Sequence, residues 1–400
     1  MGHIEQGDPA FRKTLLALFL GSFVTFADLY STQAVIPLIA KDFDTTPAGA
    51  SLSLSFSTGT MAIALVIVSL LTQGFNRKKV MGISLTLSAL LSVAVMFVHS
   101  MPELLALRAL QGAALAGFPS IAMAYITEEF KPMSLGYVMG IYISGSSIGG
   151  LSGRLIIGTL SDFIPWTSAI AILGVLSLVI SLLFWKMLPL STRPKESNLS
   201  FRRTMQSLKN NSVKPQLLLL YCMGFLLMGS FVSVYNYIGI PLMRAPYNLS
   251  QVLVSFIFVV YLVGTFSSAW MGKMADRHQR KSVMLAGVLL MLSGILLTLA
   301  SPLALKIIGL VIFTFGFFGS HSIASGWVGM LAEKSEKAQA SSLYLLFYYA
   351  GSSIVGALGG VFFHHSGWSG EVAMAAVLLL VGVLCTLLNK GAQKMQTAEE

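Results

Sequence analysis

The sequence predicts an all-α polytopic membrane protein of 12 transmembrane helices in two pseudo-symmetric six-helix halves. Three observations lead there: an extreme composition, twelve long apolar runs and an internal repeat. Of the 400 residues, 55% are hydrophobic and only 10% are charged, against about 25% charged in an ordinary soluble domain. An apolar stretch of about 18 residues or more reads as a spanning helix, because about 20 residues at ~1.5 Å rise cross the hydrocarbon. Such runs lie at 14–38, 49–73, 80–99, 104–127, 134–159, 167–188, 215–240, 250–272, 282–300, 304–331, 339–363 and 371–389. Their apolar residues are continuous rather than alternating, which excludes barrel strands.

The short loops orient the spans. One side carries 21 Lys and Arg, the other only Lys41, Arg244 and Lys306, and Arg108 and Arg154 lie inside spans. The positive-inside bias puts both termini in the cytoplasm, in a bacterial-type inner (plasma) membrane. The net charge of +10 is thus an orientation signal. Basic residues scattered over short loops, with no stacking platform, exclude a nucleic-acid partner. Cys222 and Cys385 fall within spans, so no disulfide framework is expected. The polar N-terminus lacks a signal-peptide pattern, and span 1 is itself the insertion signal.

The long polar interruption at 189–214 divides the chain into residues 1–188, a cytoplasmic linker, and residues 215–400. The halves echo each other. "RKKVM" (77–81) returns as "RKSVM" (280–284), "ISGSSIGG" (143–150) as "YAGSSIVG" (349–356), and Trp166 as Trp368. In the first spans of each half, "GSFV" at 21–24 returns at 229–232. Two such halves about a pseudo-two-fold axis are transporter architecture, with the substrate site near mid-membrane.

These residues carry a resemblance to the major facilitator superfamily over roughly 12–390. "GKMADRHQRK" (272–281) resembles that family's cytoplasmic motif, with Gln279 replacing the second glycine. The resemblance assigns gating to Gly272, Asp276, Arg277, Arg280 and Lys281, and to Gln73, Arg77 and Lys78 of the degenerate copy. It implies that Asp276 reaches a helix terminus across the cytoplasmic interface and holds the outward-open state. Gln73 cannot place a negative charge at the matching point. "RALQG" (108–112) matches the family's R-x-x-Q-G without departure. "GIYISGSSIGGLSGR" (140–154) resembles the glycine-rich segment of drug/proton antiporters, with Gly150 in place of its proline and Arg154 where a glycine is usual. The same run resembles the YnfM-like branch of the superfamily. The resemblance therefore implies the fold of that superfamily, no enzymatic activity and no cofactor.

Taken span by span, the polar residues in apolar runs are the functional candidates. Asp28 in span 1 is the one carboxylate read as well inside a run, about 21 Å from its cytoplasmic start at helical rise. Arg108 in span 4 lies about 8 Å below the outer start of its run, which matches that depth in a layer ~30 Å thick. Arg108 is expected to face the central cavity near Asp28, directly or through water or Gln111, one turn on. Burial disfavours an ionised carboxylate and a nearby cation favours it, which suits Asp28 to proton coupling. A buried ion pair that merely fixes span 1 to span 4 is the structural alternative. In span 5, Arg154 either snorkels to the outer interface, pairs with Asp162, or attracts an anionic substrate. In span 10, His321 either shuttles protons or bonds between helices.

Tyr30, Tyr142, Tyr235, Asn236 and Tyr348 complete a candidate substrate cavity that, with 20 methionines, suits adaptable binding of varied lipophilic molecules. The glycines of spans 5 and 11 suggest a rocking contact between the halves. "GSSIG" (145–149) matches a nucleophile elbow by pattern only, since it lies inside an apolar helix, and no phosphate-binding loop occurs. The adjacent His364 and His365 have no carboxylate or cysteine neighbours, so no metal is expected. The reading is therefore a monomeric secondary transporter working by alternating access and embedded in the lipid bilayer. Its partners are protons and a small-molecule substrate, and its activity is efflux of amphipathic or lipophilic molecules. The alternatives are transport of a small organic anion and, from another class, a non-transporting membrane sensor.

Overall fold

The computed structural model describes residues 4, 8–71, 75–130, 134–190, 201–333 and 336–389. Within them the chain forms helices and no strand. In order these are α1 (Pro9–Leu29), α2 (Ile36–Asp42), α3 (Pro47–Leu71), α4 (Arg77–Ala94), α5 (Met101–Leu115), α6 (Gly117–Glu129), α7 (Leu135–Leu160) and α8 (Trp166–Met187). They continue as α9 (Phe201–Ser212), α10 (Pro215–Tyr237), α11 (Gly239–Met243), α12 (Gln251–Phe256), α13 (Tyr261–Arg277), α14 (Arg280–Leu297), α15 (Leu303–Leu331) and α16 (Lys337–Leu388).

Among the described residues, ten stretches are long and apolar enough to cross a membrane. One of them, Gln339–Leu388, holds two of the expected spans, because non-helical angles at Ser366 and Gly367 bend α16 there. Gly367 takes φ +59, a left-handed conformation that glycine adopts without a Cβ penalty. The remaining expected span is α7, whose serines and glycines dilute its hydropathy. Large apolar side chains such as Ile63, Ile83, Phe97, Phe266 and Val377 stand exposed, as suits helices solvated by lipid rather than water.

The chain divides into two compact units. The first comprises 1–45, 52–198 and 250–258, and the second 46–51, 199–249 and 259–400. In the first, α1 packs on α7 and α4 on α8; in the second, α10 packs on α16 and α14 on α15. Small residues set these crossings. A Cβ added at Gly145, Gly149 or Gly153 would lie 2.4, 2.2 or 2.7 Å from the carbonyl oxygens of Phe19, Phe23 and Ala27. Gly351 meets the carbonyl of Phe225 in the same way, at 2.1 Å. The small-residue faces of spans 5 and 11 therefore pack inside their own units, against spans 1 and 7. The rocking contact expected of them is corrected accordingly. Backbones this close have no room for side chains.

On the loop side of the second unit, Lys214 Nζ pairs with Glu333 at 2.8 Å and Glu336 at 3.6 Å. Asn210 of α9 donates to Glu336 at 3.2 Å. The Glu333 carboxylate raises the Lys214 pKa above the ordinary lysine value.

Candidate functional site

Span 1 is discontinuous. After Leu29 the α-helix ends, a turn follows, and a 3-10 segment Gln33–Val35 leads into α2. Pro37 at the start of α2 has no amide hydrogen and cannot sit inside a continuous helix. The break strands backbone carbonyls in a place without water.

Arg108 satisfies them. Its guanidinium, on α5, donates to the carbonyls of Asp28 at 3.0 Å and Leu29 at 2.5 Å, and to Ser31 Oγ at 3.0 Å. It also bonds the Ser53 carbonyl of α3 at 3.1 Å and Gln111 Oε1. A cation at a helix C-terminus is favoured by the dipole as well as by the hydrogen bonds. Arg108 is wholly buried within the first unit, so the expectation that it faces a central cavity is corrected. Each of its three nitrogens donates to a protein acceptor.

The other two residues of the motif have equally physical roles. Gln111 Nε2 donates to Ser92 Oγ at 2.6 Å and to the Ser88 carbonyl at 3.2 Å. A Cβ at Gly112 would lie 2.0 Å from the Ser57 carbonyl, so only glycine lets α5 approach α3 this closely.

Asp28 lies beside Arg108 without a direct carboxylate–guanidinium bond. Ser177 Oγ of α8 donates to Oδ1 at 2.8 Å, and Ser88 Oγ of α4 donates to Oδ2 at 2.9 Å. Gln111 touches both ends of the network, since its Nε2 also reaches Ser88 Oγ at 3.4 Å. Asp28, Arg108, Gln111, Ser88 and Ser92 are all buried. The link through Gln111 is the indirect one expected from the sequence. The serine partners have no sequence signal beyond lying in apolar runs.

Arg154 neither snorkels nor meets Asp162. It is buried, donates to Gln33 Oε1 at 2.7 Å and to the Gly150 carbonyl, and lies over the rings of Tyr30 at 4.2 Å and Phe258 at 5.1 Å. Its amphipathic cation–π environment lies inside the first unit. Asp162 instead accepts the Val252 amide at the start of α12.

Tyr142 is corrected too. It stacks on Phe118 inside the hydrophobic core with Phe184 and Tyr125, so it packs the core of the first unit.

In the second unit Tyr235 bonds Thr314 Oγ1 at 2.7 Å and lies against Phe231 and Tyr261. Asn236 is buried, 3.5 Å from the Gly356 carbonyl. His321 shares a 2.8 Å hydrogen bond with the Tyr344 hydroxyl through Nδ1, and its ring is 4.5 Å from that of half-buried Tyr348. The aromatic neighbours put no charge beside the imidazole.

A Cβ at Gly272 would touch Ser322 Oγ at 3.9 Å, and Arg277 is exposed. The exposed Asp276 carboxylate pairs with Arg280 at 2.8 Å within the motif, so its contact with a helix terminus is not made in this conformation. Lys281 Nζ instead bonds the Leu387 carbonyl at the end of α16. Arg77 is buried at the start of α4 and Lys78 is half-buried. Gln73 lies outside the described residues.

The major facilitator superfamily profile matches residues 18–240 and again 222–399. The chain belongs to the Major Facilitator Superfamily. It is 44% identical over 383 residues to the MFS-type transporter YybF of Bacillus subtilis, covering 96% of this chain and 95% of that one. It is 43% identical to the inner membrane transport protein YnfM of Escherichia coli, covering 95% and 91%. Among solved structures it resembles a bacterial homologue of the human lysosomal transporter Spinster, with TM-score 0.79 at 16% identity over 97% of this chain and 98% of that one. That last likeness concerns the fold alone. The chain is an integral membrane transporter of the YnfM-like branch, not an enzyme, and its substrate is a small molecule.

Proposed function

We propose that this transporter is a proton-coupled antiporter exporting small amphipathic or lipophilic molecules by alternating access, as a monomer with both termini cytoplasmic. The observation that carries the reading is Asp28. A titratable carboxylate sits fully enclosed at the break of span 1, held by serine hydroxyls and flanked by the Arg108–Gln111 pair. Broken helices are where transporter coupling sites form, and intramembrane carboxylates are costly unless they serve a function. Arg108 stays charged throughout, holding the helix end while Asp28 gains and loses the proton. The serines serve both states, since a hydroxyl donates to a carboxylate and accepts from a carboxylic acid.

The aromatic residues around Phe231, Tyr235, His321 and Tyr348 support a lipophilic substrate, because they offer ring faces and little charge. Transport of an organic anion would rest on Arg154, because Arg108 is wholly buried and each of its nitrogens already donates to a protein acceptor.

The test uses everted membrane vesicles holding a proton gradient, read by a pH-sensitive dye. Lipophilic cations, organic acids and sugars are added in turn to wild type and to Asp28→Asn. A lipophilic compound that dissipates the gradient in wild type and not in the variant is the expected result. Equal dissipation in both would make Asp28 structural, and a response to acids alone would favour the anion reading.

A further inference from the structure

The second unit holds a buried carboxyl of its own. Glu371 is wholly buried at the start of the last span, just past the bend at Ser366 and Gly367. The Glu371 carboxyl oxygens and the neighbouring Ser233 Oγ on α10 have no hydrogen-bond partner beyond one another. The two groups meet in a notch left by a glycine. A Cβ at Gly359 would lie 1.8 Å from Ser233 Oγ and 2.6 Å from Glu371 Oε2.

The charged and titratable groups around this notch do not neutralise it. On α10, the Tyr237 hydroxyl lies 2.7 Å from both the Gly356 carbonyl, to which it donates, and Ser51 Oγ. On α15, Lys306 Nζ is turned to the Thr298 carbonyl and the Tyr247 ring. On α16, His364 and His365 are exposed. The end of α14 nearest this region supplies only Thr298, already bonded to the Trp368 indole. An ionised carboxylate with a single hydroxyl donor and no cation is costly in an apolar interior. A neutral carboxyl costs less, because its hydroxyl can donate to the Ser233 oxygen.

We infer that Glu371, in the notch between Ser233 and Gly359, is a second proton-binding site of this transporter, occupied by a proton in the conformation seen here. The site adjoins the contact through which residues 46–51 join the second unit, since Tyr237 holds Ser51 and a Cβ at Gly360 would lie 2.4 Å from Ala48 Cα. Loosening that contact admits water to Glu371 and lets the proton leave. The assignment goes beyond the coupling reading and depends neither on Asp28 nor on the direction of transport.

Infrared difference spectroscopy on the full-length protein in lipid nanodiscs tests it, because a protonated buried carboxyl has its own C=O stretching band. At neutral pH, wild type is expected to show that band, Asp28→Asn to keep it, and Glu371→Gln to lose it. Ser233→Ala keeps the carboxyl and removes the hydroxyl beside it, so the band is expected to shift in position without losing intensity. This second variant covers the case in which Glu371→Gln does not fold.

A band unchanged in Glu371→Gln, or unmoved in Ser233→Ala, overturns the inference. Loss of the band in wild type on adding sodium chloride at constant pH overturns it in favour of a metal-cation site. Failure of Asp28 to couple protons in the vesicle assay leaves this measurement unaffected, so the two readings fail separately.

Discussion

Replacing Arg108 with leucine should unlatch span 1 at its break. The guanidinium has five hydrogen-bonded acceptors, the carbonyls of Ser53, Asp28 and Leu29, Ser31 and Gln111, three of them sharing the two hydrogens of Nη1. Interhelical hydrogen bonds in membrane proteins average about 0.6 kcal/mol each, because the separated helices also find partners. With one hydrogen shared, four to five such bonds come to about 2–3 kcal/mol. An isolated arginine at the bilayer centre also costs about 2.5–3.5 kcal/mol on insertion scales, so packing α5 against the end of α1 relieves the arginine as much as the helix end. Leucine fills a similar space and removes both effects.

The expected outcome is a loss of about 2–3 kcal/mol in reversible unfolding by sodium dodecyl sulfate from mixed micelles. Arg108→Lys should recover only part of it, because an ammonium cannot reproduce the planar fork. Asp28→Asn combined with Arg108→Leu should cost less than the two single changes added together, since the groups share one network. Unfolding of Arg108→Leu at the wild-type midpoint would refute the argument, and the arginine would then need a role the static contacts do not reveal.

Two further outcomes follow from packing and charge. Gly145→Val puts a branched side chain where a Cβ alone would be 2.4 Å from the Phe19 carbonyl, so thermal stability should fall by about 1–3 kcal/mol; an unchanged melting curve would mean α1 and α7 are not in this register. Lys214→Met should speed amide hydrogen exchange in α9 at neutral pH, by an amount worth about 0.2–1 kcal/mol, since the lysine is a third exposed and Glu333 two-thirds exposed. Because Glu333 raises the lysine pKa, the wild-type pair persists through neutral pH and weakens as pH rises through that raised value, where wild type and variant should converge; a gap that stays constant up to that pH would exclude the ion pair as the cause.

The twelve runs, the halves and the pairing of Asp28 with Arg108 through Gln111 were legible because each leaves a mark in composition or spacing. A run of about 20 apolar residues has one structural use, and a carboxylate and a guanidinium at one depth have reason to meet. Orientation within a span was not legible. Helices that are apolar all round carry no periodic signal to separate core from cavity, so Tyr142 and Arg108 were expected to line a cavity and instead pack inside the first unit. Depth along span 1 was read as if the helix ran on, although Pro37 was the one local sign of the break. Glu371 escaped because it is the first residue of its run, where a carboxylate ordinarily meets water, and only the bend at Gly367 and the notch at Gly359 enclose it.

The same close contacts show how the repeat accommodates two different buried acids. Gly145 on the Phe19 carbonyl and Gly351 on the Phe225 carbonyl are equivalent crossings, with the same offset in both helices. One turn on, Gly149 on Phe23 is answered by Val355 on Gly229, so the small residue changes helix while the backbones stay close. Two turns on, Gly153 meets Ala27, and Gly359 meets Ser233. In this register Asp28 answers Val234, which is buried and apolar. The first half therefore puts its acid on the helix end that Arg108 caps and leaves the glycine notch dry. The second half keeps that level apolar and brings Glu371 into the notch from the opposite span. Duplication supplied one scaffold of backbone crossings, and single side-chain changes at matched positions gave each half a carboxyl at its own level. An exchange of residues between halves should then be tolerated only as a set: Val234→Asp alone adds an acid with neither the serine donors nor the arginine that make Asp28 bearable.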